Sequence, residues 1–199
     1  MKVAVPLCKR DEALFLRTSE LWKDHWPDLE IFILPCAVGP PDLDLEYSLP
    51  MRWMNRKATT SMLGSLKHLV DKHNLDHITK LDADIFFKSV PEWLVNIEHG
   101  FTGFQSRNSR FYICGGCYTI TSDVIKALYE ESKNIHTIAE DDGISRCARK
   151  IGVQMNKKSG FYGWHHVNHE KSIMLHLGQD HPRHDTLAAL ESMQRLLAL

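Results

Sequence analysis

No apolar run in this 199-residue chain is long enough to cross a bilayer. Neither charge sign is in excess: 24 Lys and Arg stand against 25 Asp and Glu, a formal net charge of −1. A near-neutral chain feels no overall electrostatic pull toward nucleic acid or an anionic membrane. Cysteine is sparse. The five, Cys8, Cys36, Cys114, Cys117 and Cys147, are odd in number and follow no disulfide framework, which suits a reducing compartment. The start, Met1-Lys2-Val3-Ala4-Val5-Pro6, carries no signal-peptide pattern, so the expectation is a cytoplasmic protein. Repeats, low-complexity tracts and flexible linkers are also missing, and the length suits one domain spanning 1–199.

What is present is an alternation of strand and helix patterns. Residues 2–7 read as a short buried strand ended by Pro6. Residues 11–25 read as a helix that Asp11 can cap, and 29–35 as a second strand. Residues 37–50 read as loop, with a short strand near 47–53. A helix capped by Thr59 or Thr60 runs to about His73, with Leu63, Leu66, Leu69 and Val70 as its apolar stripe. Pro91 suits the first turn of a helix over 92–98. Strands are expected at 101–104, 111–121, 153–156 and 173–177. Helices are expected from Ser122 to about Lys133, from Glu140 to about Ile151 with Gly152 as C-cap, and over 185–199. Residues 157–172 read as an irregular loop. This order predicts an α/β domain with a mainly parallel sheet and helices on both faces, whose ligands sit beyond the carboxyl ends of the strands.

The chain is organised around His77-Ile78-Thr79-Lys80-Leu81-Asp82-Ala83-Asp84-Ile85-Phe86-Phe87. It reads as a buried strand carrying two carboxylates at its end. Alternation along a strand would put Asp82 and Asp84 on one face. Such a pair is costly to bury unless a hard divalent cation sits between the carboxylates, and that cation can be shared with a phosphate. A solvated turn whose acids cap the next element fits the same residues.

Two other features have plain readings. Cys114-Gly115-Gly116-Cys117 is followed by the strand-like Tyr118-Thr119-Ile120-Thr121. A redox pair would sit at a helix start and a zinc site would need a second ligand pair, so two buried thiols flanking glycines are expected. Arg146, Arg149, Lys150, Lys157 and Lys158 read as a solvated basic face.

Several clusters fall at strand ends or helix starts: Pro6 to Arg10, Asn55-Arg56-Lys57, Asp82 to Asp84, Gly115-Gly116, Glu140-Asp141-Asp142 and His176. Together and in this order they resemble the GT-A glycosyltransferases, most closely the inverting β-1,4-galactosyltransferase-like branch. Leu7 stands where that branch has an aromatic after its first proline, and Asn134 to Ala139 replace its Trp-Gly-rich loop. The resemblance implies one GT-A domain, with 1–110 the nucleotide- and metal-binding half and 111–199 the acceptor and catalytic half. It also implies a nucleotide-sugar donor, with uridine as the base, and a hydroxyl acceptor such as a glycan, lipid, protein or modified nucleic acid. Its metal ligands would be Asp84 and His176, with Asp82 through water or on the ribose. Its donor-binding residues would be Pro6, Arg10, Arg56, Asp82, Asp84, Gly115, Gly116, Glu140 and Asp142.

The chemistry is consistent with this. A divalent ion, Mn2+ or Mg2+, would stabilise the departing diphosphate, and imidazole among oxygen ligands favours manganese. Asp141 would be the general base, with burial beside Glu140 and Asp142 raising its pKa. Read without the resemblance, three acids opening a helix equally complement its dipole. Two other enzyme classes fit parts of the chain. A sugar-nucleotide nucleotidyltransferase would need a glycine-rich loop after the first strand, and Pro6 to Arg10 lacks it. A zinc-dependent hydrolase could use His165, His166, His169, His176, His181 and His184, but Gly160, Gly163 and Trp164 disfavour a helix presenting His165 and His169 together. A binding module that kept the fold and lost the chemistry is disfavoured by the presence of Asp82, Asp84, Asp141 and His176.

Overall fold

The structure, a computed structural model, describes residues 1–7, 11–35, 58–105, 112–135, 139–158, 162–164 and 174–176. The expected strand near 47–53 and the C-terminal helix over 185–199 lie outside the described residues.

The elements are β1 (Lys2–Leu7), α1 (Glu12–His25), β2 (Glu30–Pro35), α2 (Ala58–His73), β3 (His77–Leu81), β4 (Ile85–Phe87), α3 (Glu92–Val95), β5 (Phe101–Gln105), β6 (Ile113–Thr121), α4 (Ser122–Ser132), α5 (Glu140–Lys150), β7 (Met155–Lys158), β8 (Tyr162–Trp164) and β9 (Met174–His176). Six strands form one sheet in the order β2-β1-β3-β6-β5-β7. Only β6 of these runs against its neighbours, pairing antiparallel with both β3 and β5. The remaining pairs, β1 with β2, β1 with β3 and β5 with β7, are parallel. A second sheet has the order β4-β9-β8.

Alternation along the strands builds two cores. Ala4, Ile78, Phe101, Tyr118 and Ile120 face a layer formed by α2, α4 and α5, with Leu63, Leu66, Val124, Ile125 and Ile144 among its buried residues. Val3, Val5, Leu81, Phe104 and Cys117 face the other way, onto Phe15 and Trp22 of α1 and Trp93 and Leu94 of α3. Both faces of the sheet are therefore covered by helices, as the alternating pattern predicts. The two proposed halves of the chain interleave, since β6 lies between β3 and β5.

Several local expectations change. Pro6 does not end β1; the strand continues to Leu7 with Pro6 opposite Leu34. β1 pairs with β3 only at Val3 and Ala4, so a residue without an N–H is tolerated further along. Asp11 occupies the N-cap position of α1 but makes no side-chain cap hydrogen bond. Thr59 and Thr60 lie inside α2 and bond across to other helices, to the Glu140 carbonyl at 3.5 Å and the Ser132 carbonyl at 3.0 Å. The helix after Pro91 is a single turn, Glu92–Val95. Residues 162–164, expected within a loop, form β8. Gly152 follows α5 with φ +71°, the left-handed conformation its C-cap role requires.

Candidate active site

The stretch read as one long strand is broken. β3 ends at Leu81, residues 82–84 turn, and β4 then joins the second sheet. Strand alternation therefore does not align Asp82 with Asp84; a turn between two sheets presents them. Nor is it a solvated turn, because each aspartate is only 7% exposed. The Asp82 amide donates to the Gly116 carbonyl at 2.8 Å, and the Ile85 amide donates to the Asp82 carbonyl at 3.2 Å. Helix α1 holds the turn from outside. Thr18 Oγ1 donates to the Ala83 carbonyl and Trp22 Nε1 to the Ile85 carbonyl, both at 2.8 Å and both buried.

Behind the turn lies a side chain that reading the motifs passed over. Lys80 is fully buried. Its Nζ lies 2.5 Å from Asp82 Oδ1, donates to the Gly115 carbonyl at 2.5 Å and sits 3.9 Å from Glu140 Oε2. Burial pulls its pKa down, but Asp82 and Glu140 outweigh this and hold the ammonium charged. Lys80 also faces Tyr118, its partner in the β3–β6 register, with Nζ 5.6 Å from the ring centre. The signal was in the sequence: Lys80 interrupts an apolar strand two residues before Asp82, and a lysine there needs a buried partner.

The three acids that open α5 have different roles. Glu140 is buried and accepts a 2.5 Å hydrogen bond from the Tyr118 hydroxyl. Burial raises its pKa to about 7, against the lowering effect of Lys80 and Tyr118. Asp141 Oδ2 accepts from the Gly115 amide at 3.2 Å, and its Oδ1 from the Asp142 amide at 2.9 Å. Burial raises the Asp141 pKa while these amides and Lys80 hold it down. Asp142 points outward, with Oδ2 2.7 Å from Arg146 Nε. It is the one that behaves as an ordinary helix-face acid, whereas Glu140 and Asp141 are built into the interior.

Gly115 and Gly116 sit where β5–β6 pairing shifts register, between Gly103 and Gln105. A Cβ on Gly115 would lie 3.2 Å from Asp141 Cβ and 3.4 Å from its Oδ2. The absent side chain thus makes room for Asp141. Cys114 is half-buried and Cys117 buried; neither forms a disulfide. Burial pushes the Cys117 thiol pKa well up, so it stays protonated and inert. The basic face is largely paired, Lys150 with Glu131 at 2.6 Å and Lys158 with Glu98.

The structure therefore gathers Asp82, Gly115, Gly116, Glu140 and Asp141 into one bonded cluster, with Asp84 in the adjoining turn. β9 pairs with β4 so that His176 stands opposite Ile85, the residue after Asp84; the His176 side chain lies outside what is described. Arg10, Arg56, His165, His166, His169, His181 and His184 also lie outside the described residues. Among the described residues no three His, Cys, Asp or Glu side chains already converge as a metal cluster. The donor set still fits a hard cation. Asp82 and Asp84 are buried carboxylates of one turn, Glu140 and Asp141 add carboxylate oxygens at the start of α5, and the β9 backbone brings a histidine position opposite Ile85.

The sheet order, with one reversed strand and helices on both faces, is the α/β arrangement of the GT-A fold. Solved structures share it over the whole chain. The galactosyltransferase LgtC, in complex with donor and acceptor sugar analogs, superposes with a TM-score of 0.61 at 12% identity, covering 100% of this chain and 95% of LgtC. An active-site mutant of LgtC gives 0.60 at 12% identity, with coverage of 100% and 95%. A glycosyltransferase involved in glycosylation of the major capsid of PBCV-1 gives 0.56 at 8% identity, covering 100% of this chain and 98% of that one. At such identities the likeness is one of fold. In sequence the chain matches no protein-family profile and no curated protein. Among the described residues no helix is long and apolar enough to cross a membrane.

Proposed function

We propose that this protein is a metal-dependent glycosyltransferase. It would transfer a sugar from a nucleotide-sugar, a UDP-sugar, to an acceptor hydroxyl with inversion at the sugar carbon. The observation that carries the reading is the placement of Asp141. It is a largely buried carboxylate of raised pKa, oriented by two backbone amides and joined through Gly115 and Lys80 to the Asp82 turn at the same rim of the sheet. The fold neighbours, one of them with donor and acceptor sugar analogs, favour sugar transfer over the other chemistries that acidic turns support.

In this mechanism Asp84 and His176 would hold a divalent ion, Mn2+ or Mg2+, with Asp82 assisting through water or on the ribose. When bound, the ion supplies Lewis-acid neutralisation of charge on the leaving diphosphate. Arg10 and Arg56 pair with the phosphates, and Pro6, Gly115 and Gly116 lie against the donor. Asp141 accepts the proton of the acceptor hydroxyl as that oxygen bonds to the sugar carbon. The bond from that carbon to the phosphate oxygen breaks, and its electron pair leaves with UDP. A carboxylate whose pKa is lifted by burial but whose charge two amides still support can take a proton only transiently, as a general base must.

The test is calorimetric titration of UDP into the protein with and without Mn2+, in parallel with Asp84→Asn. Binding that requires Mn2+ and is lost in Asp84→Asn supports the reading. UDP that fails to bind with any divalent ion rules out its uridine form.

A further inference from the structure

We infer that Lys80 is a positioning residue that holds the nucleotide side and the base side of the site in one frame; this rests on the glycosyltransferase reading above. Three elements meet at its ammonium. Asp82, at the end of β3, is within 2.5 Å. The carbonyl of Gly115, at the β6 irregularity, accepts at 2.5 Å. Glu140, which opens α5, is 3.9 Å away. Gly115 in turn holds Asp141 through its amide. One buried cation therefore lies between the carboxylate assigned to the nucleotide and the carboxylate assigned to the acceptor proton.

The alternatives for this lysine are narrower than they look. It is too buried to meet a phosphate directly, with its side chain fully excluded from solvent. It is not a mere partner for one acid, because it bridges residues from both proposed halves of the chain. Tyr118 completes the frame from β6: it faces the lysine with its ring and fixes Glu140 with its hydroxyl. Groups that orient a ligating or reacting side chain from behind typically influence metal affinity or rate by about 10–100-fold. Lys80 therefore affects both UDP–Mn2+ affinity and turnover, although it touches neither substrate.

The experiment compares the unsubstituted protein, Glu140→Gln, and the double variant Lys80→Met with Glu140→Gln. The double variant removes the cation together with one of its buried anions and so keeps the interior closer to charge balance. Thermal unfolding monitors the fold, and calorimetry measures UDP binding in the presence of Mn2+. Release of UDP from a UDP-sugar gives kcat and KM. The expected result is UDP binding about tenfold or more weaker than in Glu140→Gln, with kcat reduced as well. A purely structural lysine would lower the melting temperature and leave both within about twofold of Glu140→Gln, which would overturn the inference. Should the double variant not fold, nitrogen-15 lysine spectra of the unsubstituted protein decide. The slowly exchanging buried ammonium should shift when UDP and Mg2+ are added, and an unmoved signal overturns the role. If the unsubstituted protein binds no UDP with any divalent ion, the uridine form of the function and the role of Lys80 in it fall together; if it binds and only the variant comparison is flat, the role alone falls.

Discussion

Gly115 and Asp141 touch closely enough that a side chain on the glycine would crowd the carboxylate. The amide of Gly115 donates to Asp141 Oδ2 at 3.2 Å, and a Cβ on Gly115 would sit 3.2 Å from Asp141 Cβ. Gly115→Ala must therefore push the carboxylate by a few tenths of an ångström. Overpacking of this kind costs about 1–3 kcal/mol. Small displacements of a reacting group cost rate steeply, so a fall in kcat of about tenfold is expected. Steady-state kinetics beside a melting curve separates the two effects.

Asp141→Asn keeps the size of the side chain and removes the base. Loss of turnover on the order of 10²–10⁴-fold is expected, with UDP–Mn2+ affinity little changed. On the proposed function, the anomeric proton of the product made by the unsubstituted protein, read by NMR early in the reaction, should report inversion. Retention would remove Asp141 from the base role.

Glu140 gives a stability that depends on pH. Its carboxyl has a folded-state pKa of about 7, above the ordinary value of 4.5. The folded protein therefore binds this proton more tightly than the unfolded chain. The stability it contributes is fully present below pH 4.5 and is lost as pH rises through 7. Relative to Glu140→Gln, the unsubstituted protein should lose up to about 3 kcal/mol across that window. Urea unfolding of both proteins on either side of that window measures the difference, and parallel curves would contradict it. Tyr118→Phe removes a hydrogen bond that favours the charged form, so it should extend the pH range over which Glu140 stays protonated.

The acidic turn depends on α1. Thr18→Val removes the donor to the Ala83 carbonyl at near-constant volume and leaves that buried acceptor without this bond. The expected cost is about 1–3 kcal/mol by urea unfolding. UDP–Mn2+ binding should weaken in the same variant, because the turn carries Asp82 and Asp84. Full stability with weakened binding, or the reverse, would show that the turn and the helix are not coupled.

Much of the fold was legible because its signals are local. The runs at 2–7, 29–35 and 77–81 are short and apolar and lead into helical patterns, and that is enough to predict parallel strands with helices on both faces. The acids at 82–84 stood out because they follow an apolar strand, and those at 140–142 because they open a helix. What stayed hidden depended on register. That Lys80 stands opposite Tyr118, or that Gly115 reaches Asp141, depends on how β6 pairs, and no periodicity within one strand reports it. The break after Leu81 was missed for a related reason. Ile85-Phe86-Phe87 continues the apolar pattern, yet these residues find their partners in β9.

That last pairing gives the site an order of assembly. Among the described residues, every strand of the large sheet has been synthesised once the ribosome passes Lys158. β4 must wait for β9, whose pairing closes Ile85 onto His176. Long-range pairing of this kind comes after local structure in folding. A nascent chain can therefore hold its central layers in place while the rim that would grip a nucleotide is still half built. On the proposed function, the chain would become able to bind a nucleotide only once His176 had left the ribosome.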